Sequence, residues 1–343
     1  MGLQLVPRQG GVMRDKICQL LFINTCPARR DSRLVYNLSM RFSIVIPTYN
    51  RSEKLKECLK ALFDQDYPKK EYEIIVVDDG STDNTPQLLK KMQKLSHVPL
   101  YFFLQPNQGQ GVARNKGIQE AQGGIILLIG DDIIATPQLL KEHDRTHKNH
   151  PEENAACLGF ITWHPKLNPT PLMEFMERGG AVLGRFGGHQ FAFDLLEGKE
   201  TADYNFFYTS NISLKASLLK KFKFDPWFSG YGWEDIELGY RLTRSAGLTL
   251  YYEPNAIAFH DHAMTMEDFV ARMRNIGRSS RIINKKYPEL NKMPSNRKQT
   301  IFRILSHPLA IKFFKLFGRN FGFYALSKKY FLEGLNEGYN ENN

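Results

Sequence analysis

A chain of 343 residues, 42% hydrophobic and 24% charged, is long enough for one large α/β domain plus an appendage, and its balance excludes disordered and collagen-like classes. The net charge of +10 leaves nucleic acid, an anionic membrane surface or phosphorylated substrates as partners, and the position of the charge has to choose among them. The four cysteines, Cys18, Cys26, Cys58 and Cys157, make neither a CxxC pair nor a disulfide framework, which fits a reducing cytoplasm, and no apolar run approaches the ~20 residues of a spanning helix.

Residues 1–39 lack a clear period, and their apolar stretch at 17–23 is short and interrupted by Gln19, a poor signal peptide. They are expected to be a leader, either loosely ordered or not native, with Met40 as the natural start; a short helix packed on the domain is the other reading. From Phe42 the chain alternates strand 42–47, helix 52–65, strand 72–77, helix 84–95, strand 100–104, helix 110–121 and strand 125–129. Short continuous apolar strands such as Glu-Ile-Ile-Val-Val and Ile-Ile-Leu-Leu-Ile predict a mostly parallel, Rossmann-like sheet flanked by helices. The rhythm then breaks. A glycine- and aromatic-rich stretch at 178–193 leads to a strand near 206–214, a helix over 234–245, strands at 248–252 and 256–260, a long helix over 266–287, and a basic, aromatic helical segment.

In open α/β sheets ligands bind at the carboxyl ends of the strands. Here those ends are polar: Pro47, Thr48, Tyr49, Asn50 and Arg51 after the first strand, Asp78, Asp79, Gly80 and Ser81 after the second, Asp131 and Asp132 after the fourth. Carboxylates delivered to one crevice repel one another unless a cation intervenes, and oxygen ligands suit Mg²⁺ or Mn²⁺. Helix capping is the competing explanation for Asp131 or Asp132. A second cluster, from Tyr231 through Trp233, Glu234 and Asp235 to Leu242, places two carboxylates at a helix start beside an indole suited to a sugar face.

Four motifs in order, IVIPTYNR, IIVVDDGSTDNT, NQGQGVARNKG and LLIGDDI, closely resemble glycosyltransferase family 2, whose members have the GT-A fold, and the resemblance runs from about Phe42 to His262. It implies a GT-A domain over 40–263, with a nucleotide half at 40–135 and an acceptor half at 136–263, followed by a helical C-terminal extension at 264–343. By that resemblance Pro47, Thr48, Tyr49, Arg51, Asp78 and Asp79 hold the nucleoside of a sugar donor, usually uridine, and Arg114 reaches toward the nucleotide. Asp131 and Asp132 stand in for the family's metal-binding Asp-x-Asp, which reads Gly130-Asp131-Asp132 here; the metal contact then falls mainly on Asp132, with Asp131 helping the ribose or a bound water. Asp235 takes the role of general base, and Glu234 and Trp233 that of acceptor or sugar contacts. An incoming hydroxyl must lose a proton as it attacks an oxocarbenium-like carbon, and a single displacement predicts inversion. His260 and His262, at alternate positions, are expected to share one side of a strand and complete the metal shell; a structural role competes.

Arg274, Arg278 and Arg281 share a helix face by their spacing, which suits either a diphosphate or a phosphorylated acceptor, or else a solvated surface. Between Arg297 and Lys329 there are eight Lys or Arg residues and no Asp or Glu, interleaved with Phe302, Phe313, Phe314, Phe317, Phe321 and Phe323. Two readings stand: an interfacial helix on the inner face of an anionic membrane, as for a lipid-linked acceptor, or aromatics packed on the catalytic domain.

The expected function is therefore an inverting, metal-assisted hexosyltransferase using a UDP-sugar, with a lean toward galactose or N-acetylgalactosamine because the GYGWED run resembles transferases of those sugars, and a glycan or lipid-linked acceptor. The alternative is a non-catalytic nucleotide- or glycan-binding protein on a transferase scaffold. A dinucleotide oxidoreductase is disfavoured because Arg114 breaks the GxGxxG fingerprint, and no nucleic-acid-binding module is present.

Overall fold

A computed structural model describes residues 40–180, 186–187, 190–228 and 232–337; the expected leader at 1–39 and Tyr231 lie outside them. In chain order the elements are β1 (Phe42–Thr48), α1 (Ser52–Phe63), β2 (Tyr72–Asp78), α2 (Thr85–Leu95), β3 (Leu100–Leu104), α3 (Gln110–Glu120), β4 (Ile125–Ile129), β5 (Ile133–Ala135), α4 (Leu139–Asn149), β6 (Ala155–Trp163), α5 (Pro171–Arg178), β7 (Thr201–Ala202), β8 (Asn211–Lys215), α6 (Ala216–Lys221), α7 (Glu234–Ala246), β9 (Thr249–His260), α8 (Met266–Lys286), α9 (Asn296–Leu305), α10 (Pro308–Phe317) and α11 (Arg319–Asn336).

The sheet runs β3-β2-β1-β4-β8-β6-β9-β5, with β7 on the edge of β9. Its first four strands are parallel, as the alternation predicts, but β8 enters antiparallel between β4 and β6. The sheet is therefore mixed. β1, β2 and β4 are buried along their whole length because both faces are covered. Alternation divides them between two cores: Val45, Val77, Ile126 and Leu128 face α3, while Ile44, Ile46, Val76 and Leu127 face α1 and α2. On α1, Leu55, Cys58, Leu59 and Leu62 recur at three and four residues, the stripe that seats a helix on a sheet.

Two expected strands at 248–252 and 256–260 form one strand, β9. It continues through Pro254 because the register against β6 shifts between Gly159 and Phe160, and a bulge tolerates a residue that cannot donate to the ladder. β8 begins later than expected, at Asn211, because a short 3-10 turn occupies Tyr204–Phe206.

The C-terminal helices are joined to the rest by α8, whose Phe269 and Met273 enter the core, and by α11. Phe323 lies 5.6 Å from Phe175 in α5, and Phe321 stacks on Phe186 at 4.8 Å. The packing reading thus holds for α11. α8 and α11 meet at Gly277 and Gly334, where a Cβ would strike the partner helix's backbone carbonyl, Phe331 O or Arg274 O respectively. The arginine face of α8 also serves this contact: Arg274 binds Glu333 at 2.6 Å, and Arg278 pairs with Glu337. For these two arginines, where a diphosphate, a phosphorylated acceptor or solvent stood open, the folding of α11 supplies protein partners. Among the described residues no helix is long and apolar enough to cross a membrane.

Candidate active site

The carboxyl ends of β1, β2 and β4 and the end of β9 are tied together by polar contacts. Thr48 Oγ1 donates to Asp131 Oδ2 at 2.7 Å, and Arg51 Nη1 reaches Asp132 Oδ2 at 2.6 Å and Asp131 Oδ1 at 3.4 Å. His260 Nε2 stands 3.6 Å from Asp132 Oδ2. Asp79 N donates to Thr48 O at 2.9 Å, which fixes the second turn beside the first. Pro47 is buried within β1 and Tyr49, 47% exposed, stands at the surface of the turn.

Asp131 and Asp132 are both buried, and adjacent buried carboxylates cannot ionise independently. Burial and the neighbouring charge of Asp132 push Asp131 up to about 7, against the opposing pull of Arg51. Burial would raise Asp132 too, but His260, Arg51 and His262 outweigh it and hold the carboxyl below its ordinary value. Burial lowers His260 in turn, against the raising charge of Asp132. Gly130 fits this arrangement: a Cβ there would lie 3.1 Å from Asp132 Oδ1, tighter than ordinary contact.

These residues pass a test of fit for a divalent ion. A separation of 3.6 Å between Asp132 Oδ2 and His260 Nε2 is too long for a hydrogen bond, whereas two ligands each ~2.1 Å from one ion lie roughly 3 to 4 Å apart. Among the described residues no group of three His, Cys, Asp or Glu converges as a metal cage. Mg²⁺-type sites commonly use one or two protein ligands and take the rest from substrate phosphates and water. His262, its ring centre 6.2 Å from that of His260, has a partner of its own: its Nε2 faces Asp268 Oδ2 at 3.4 Å, within the capping box of α8. β9 ends at His260, so the strand alternation that put both histidines on one side no longer operates at 262.

The expected nucleoside contacts divide. Asp78 Oδ1 accepts from Ser81 N at 2.9 Å. Asp79 has both oxygens engaged: Oδ1 accepts from Gln105 Nε2 at 2.7 Å and Gln108 N at 2.9 Å, Oδ2 from Gly109 N at 2.7 Å. It anchors the loop before α3, whose amides need acceptors at that helix start. Asn50, in the left-handed region at φ 53°, accepts from Thr82 N at 2.7 Å and Asp83 N at 3.3 Å, clamping the two turns together.

The second cluster sits at the start of α7. Glu234 Oε2 accepts from Gly232 N at 2.9 Å, Oε1 accepts from Gln110 Nε2, and Arg114 Nη1 lies 3.9 Å away. Both oxygens have partners inside the protein, which fix the start of α7. Arg114 lies buried over Phe224, 5.5 Å from the ring centre, its charge directed at Glu234. Trp233 is tied to α8: its Nε1 donates to Ile276 O at 3.1 Å and Ser280 Oγ at 3.2 Å, and Lys292 covers the ring at 4.9 Å. Asp235 is half-buried, with Oδ1 accepting from Ile236 N at 2.8 Å. Burial and the Glu234 charge push it up to about 7.

Gln105 and Gln110, which complete these contacts, carried no signal in the sequence. Gln110 and Glu234 are 124 positions apart, and a neutral amide in a polar loop fits any solvated turn.

The family model for glycosyl transferase family 2 matches residues 43–217. The uncharacterized glycosyltransferase YfnE of Bacillus subtilis (strain 168) is 29% identical over 260 residues, covering 64% of this chain and 64% of that protein. The validoxylamine A glucosyltransferase of Streptomyces hygroscopicus subsp. jinggangensis is 32% identical over 217 residues, covering 58% of this chain and 50% of its own. The chain thus spans less than two thirds of either relative's length. Among solved structures, the mannosyltransferase PcManGT from Pyrobaculum calidifontis, in complex with GDP-Man and Mn²⁺, has the same fold at a TM-score of 0.59 and 15% identity, covering 90% of this chain and 89% of that one. With half of its length matched by the family model and its fold shared with such a structure, this chain belongs to glycosyl transferase family 2 and has the GT-A fold.

Proposed function

We propose that the chain transfers a hexose from a UDP-sugar to a hydroxyl of a glycan or lipid-linked acceptor, with inversion, and that residues 40–135 bind the nucleotide while 136–263 receive the acceptor. The observation that carries this reading is Asp235: a half-buried carboxylate at a helix start, raised to about 7, where a general base works best. The acceptor oxygen attacks the anomeric carbon from the face opposite the diphosphate, its proton passes to Asp235, and the bond to the diphosphate oxygen breaks with its electron pair. One displacement inverts the centre.

Asp132 and His260 would hold Mn²⁺ or Mg²⁺, and such an ion neutralises the charge gathering on a departing diphosphate. Arg51, already between Asp131 and Asp132, keeps the carboxylates compensated without it. Tyr49 and Asp78 remain at the two turns as contacts for base and ribose, and Asp131 reaches the ribose from beside Thr48. The donor sugar rests on less: the GYGWED run leans to galactose or N-acetylgalactosamine, whereas a named relative is a glucosyltransferase.

The test is calorimetric titration of UDP with Mn²⁺ present and then with the metal chelated, followed by a screen of UDP-hexoses. Metal-dependent binding, weakened at least ~tenfold in Asp132→Ala, is expected. Asp235→Asn should keep UDP binding and abolish transfer. UDP binding with no turnover of any donor in the unsubstituted protein would instead favour the non-catalytic scaffold.

A further inference from the structure

The outer face of the C-terminal helices carries apolar side chains in water. On α10, Leu309 is 69%, Phe313 55% and Leu316 83% exposed, and intervals of four and three residues place them on one stripe. α9 adds Ile301 at 53% and Ile304 at 65%. The packing needs of these helices are met elsewhere: Ile311 is buried on the other side of α10, and both helices lie against α11. Helices of a globular domain normally turn such a stripe toward the core. Here it faces out.

The charges around the stripe have one sign. Arg297, Lys298, Arg303, Lys312 and Arg319 are exposed, and no Asp or Glu occurs from Arg297 to Lys329. We propose that α9 and α10 dock flat on an anionic membrane surface, the five apolar side chains entering the boundary of the acyl layer and the five cations meeting lipid phosphates. A second copy of the chain fits this face poorly, because it would set cations against cations.

The docking face also continues toward the candidate site. Arg319 lines an apolar groove of about 480 Å³ with Leu172, Met264, Met266 and Phe323, and Met264 follows His262 by two residues. A lipid-linked acceptor held by its headgroup at the membrane would thereby meet the protein on the side of the β9 end; that consequence, unlike the docking itself, rests on the transferase reading above.

The full chain is sedimented with vesicles of phosphatidylcholine alone and of phosphatidylcholine mixed with phosphatidylglycerol. Binding to the anionic vesicles alone, weakening steeply as NaCl is raised, is expected. Leu309→Glu with Leu316→Glu should lower the partition coefficient by about tenfold or more, and Arg303→Gln with Lys312→Gln by about tenfold, with thermal unfolding and UDP binding unchanged in both. No binding to anionic vesicles at low salt, binding that both variants retain, or a dimer seen by light scattering and dissolved by the same substitutions would overturn the proposal. Because vesicle binding is read without sugar transfer, its failure and that of the transferase reading are told apart.

Discussion

Glu234→Gln tests whether one carboxylate tunes the other. Asp235 sits at about 7, first through burial and second through the charge of Glu234. The substitution keeps the burial and removes the charge, and the amide that replaces the carboxylate retains an acceptor for one of the bonds from Gly232 N and Gln110. Because burial is the larger cause, removing the neighbouring negative charge is expected to lower the carboxyl by roughly one unit, or ~1.4 kcal/mol. The base must be ionised to accept a proton, so activity falls as pH drops through its pKa. At pH 6 a base at about 7 is ionised in about one molecule in ten, and one at about 6 in half; kcat/KM relative to its plateau should therefore rise about fivefold at pH 6. The assay is the pH profile of kcat/KM for UDP-hexose turnover, between pH 5 and 8.5, with plateaux normalised because loss of the Arg114 pair lowers the maximum. An acid limb that stays in place or moves to higher pH would refute the electrostatic coupling of Glu234 to Asp235.

Three further outcomes concern stability. Asp79→Ala removes the acceptor of three bonds in the loop before α3 and should cost about 2–4 kcal/mol, seen as a lower urea midpoint and as faster proteolysis of 105–109. His143 donates through Nε2 to Asn211 Oδ1 at 2.9 Å while its Nδ1 and His147 Nε2 share Ser213 Oγ, each at 2.8 Å. Burial depresses them to about 4 and about 3 respectively, so the unfolded state protonates first; their contribution is complete above pH ~6.5 and fades as pH falls toward 4, by about 1.4 kcal/mol per histidine per pH unit. A Tm that holds steady from pH 7 to 5 would contradict this. Gly334→Ala forces a Cβ onto Arg274 O and should destabilise the α8–α11 contact by about 1–3 kcal/mol, measured by hydrogen exchange in α11; a Tm equal to that of the unsubstituted chain would show that the helices slide apart without penalty.

The elements and the location of the site were legible because they are local. The β1, β2 and β4 segments are short continuous apolar runs whose polar termini announce a crevice, and α1, α7 and α8 end within two residues of expectation, since their apolar spacing is set by neighbours along the chain. The four motifs identified the family for the same reason. Asp132 and His260 both lie at strand ends in the sequence, and the fold brings them to 3.6 Å.

What each side chain does there was decided by partners distant in sequence. Asp78 and Asp79 are adjacent and chemically identical, yet of their two carboxylates only that of Asp79 binds the loop at 105–109, which β3 delivers beside β2. Glu234 and Asp235 likewise look interchangeable until α3 brings Gln110 and Arg114 against the first and leaves the second half-buried. Trp233, Arg274 and Arg278 were drawn to α8 and α11 by hydrogen bonds and ion pairs that no spacing encodes. In the C-terminal segment, composition alone made every phenylalanine equivalent; tertiary packing put Phe321 and Phe323 inward and Phe313 outward. Periodicity specifies which residues share a face, but only the assembled fold specifies what that face meets.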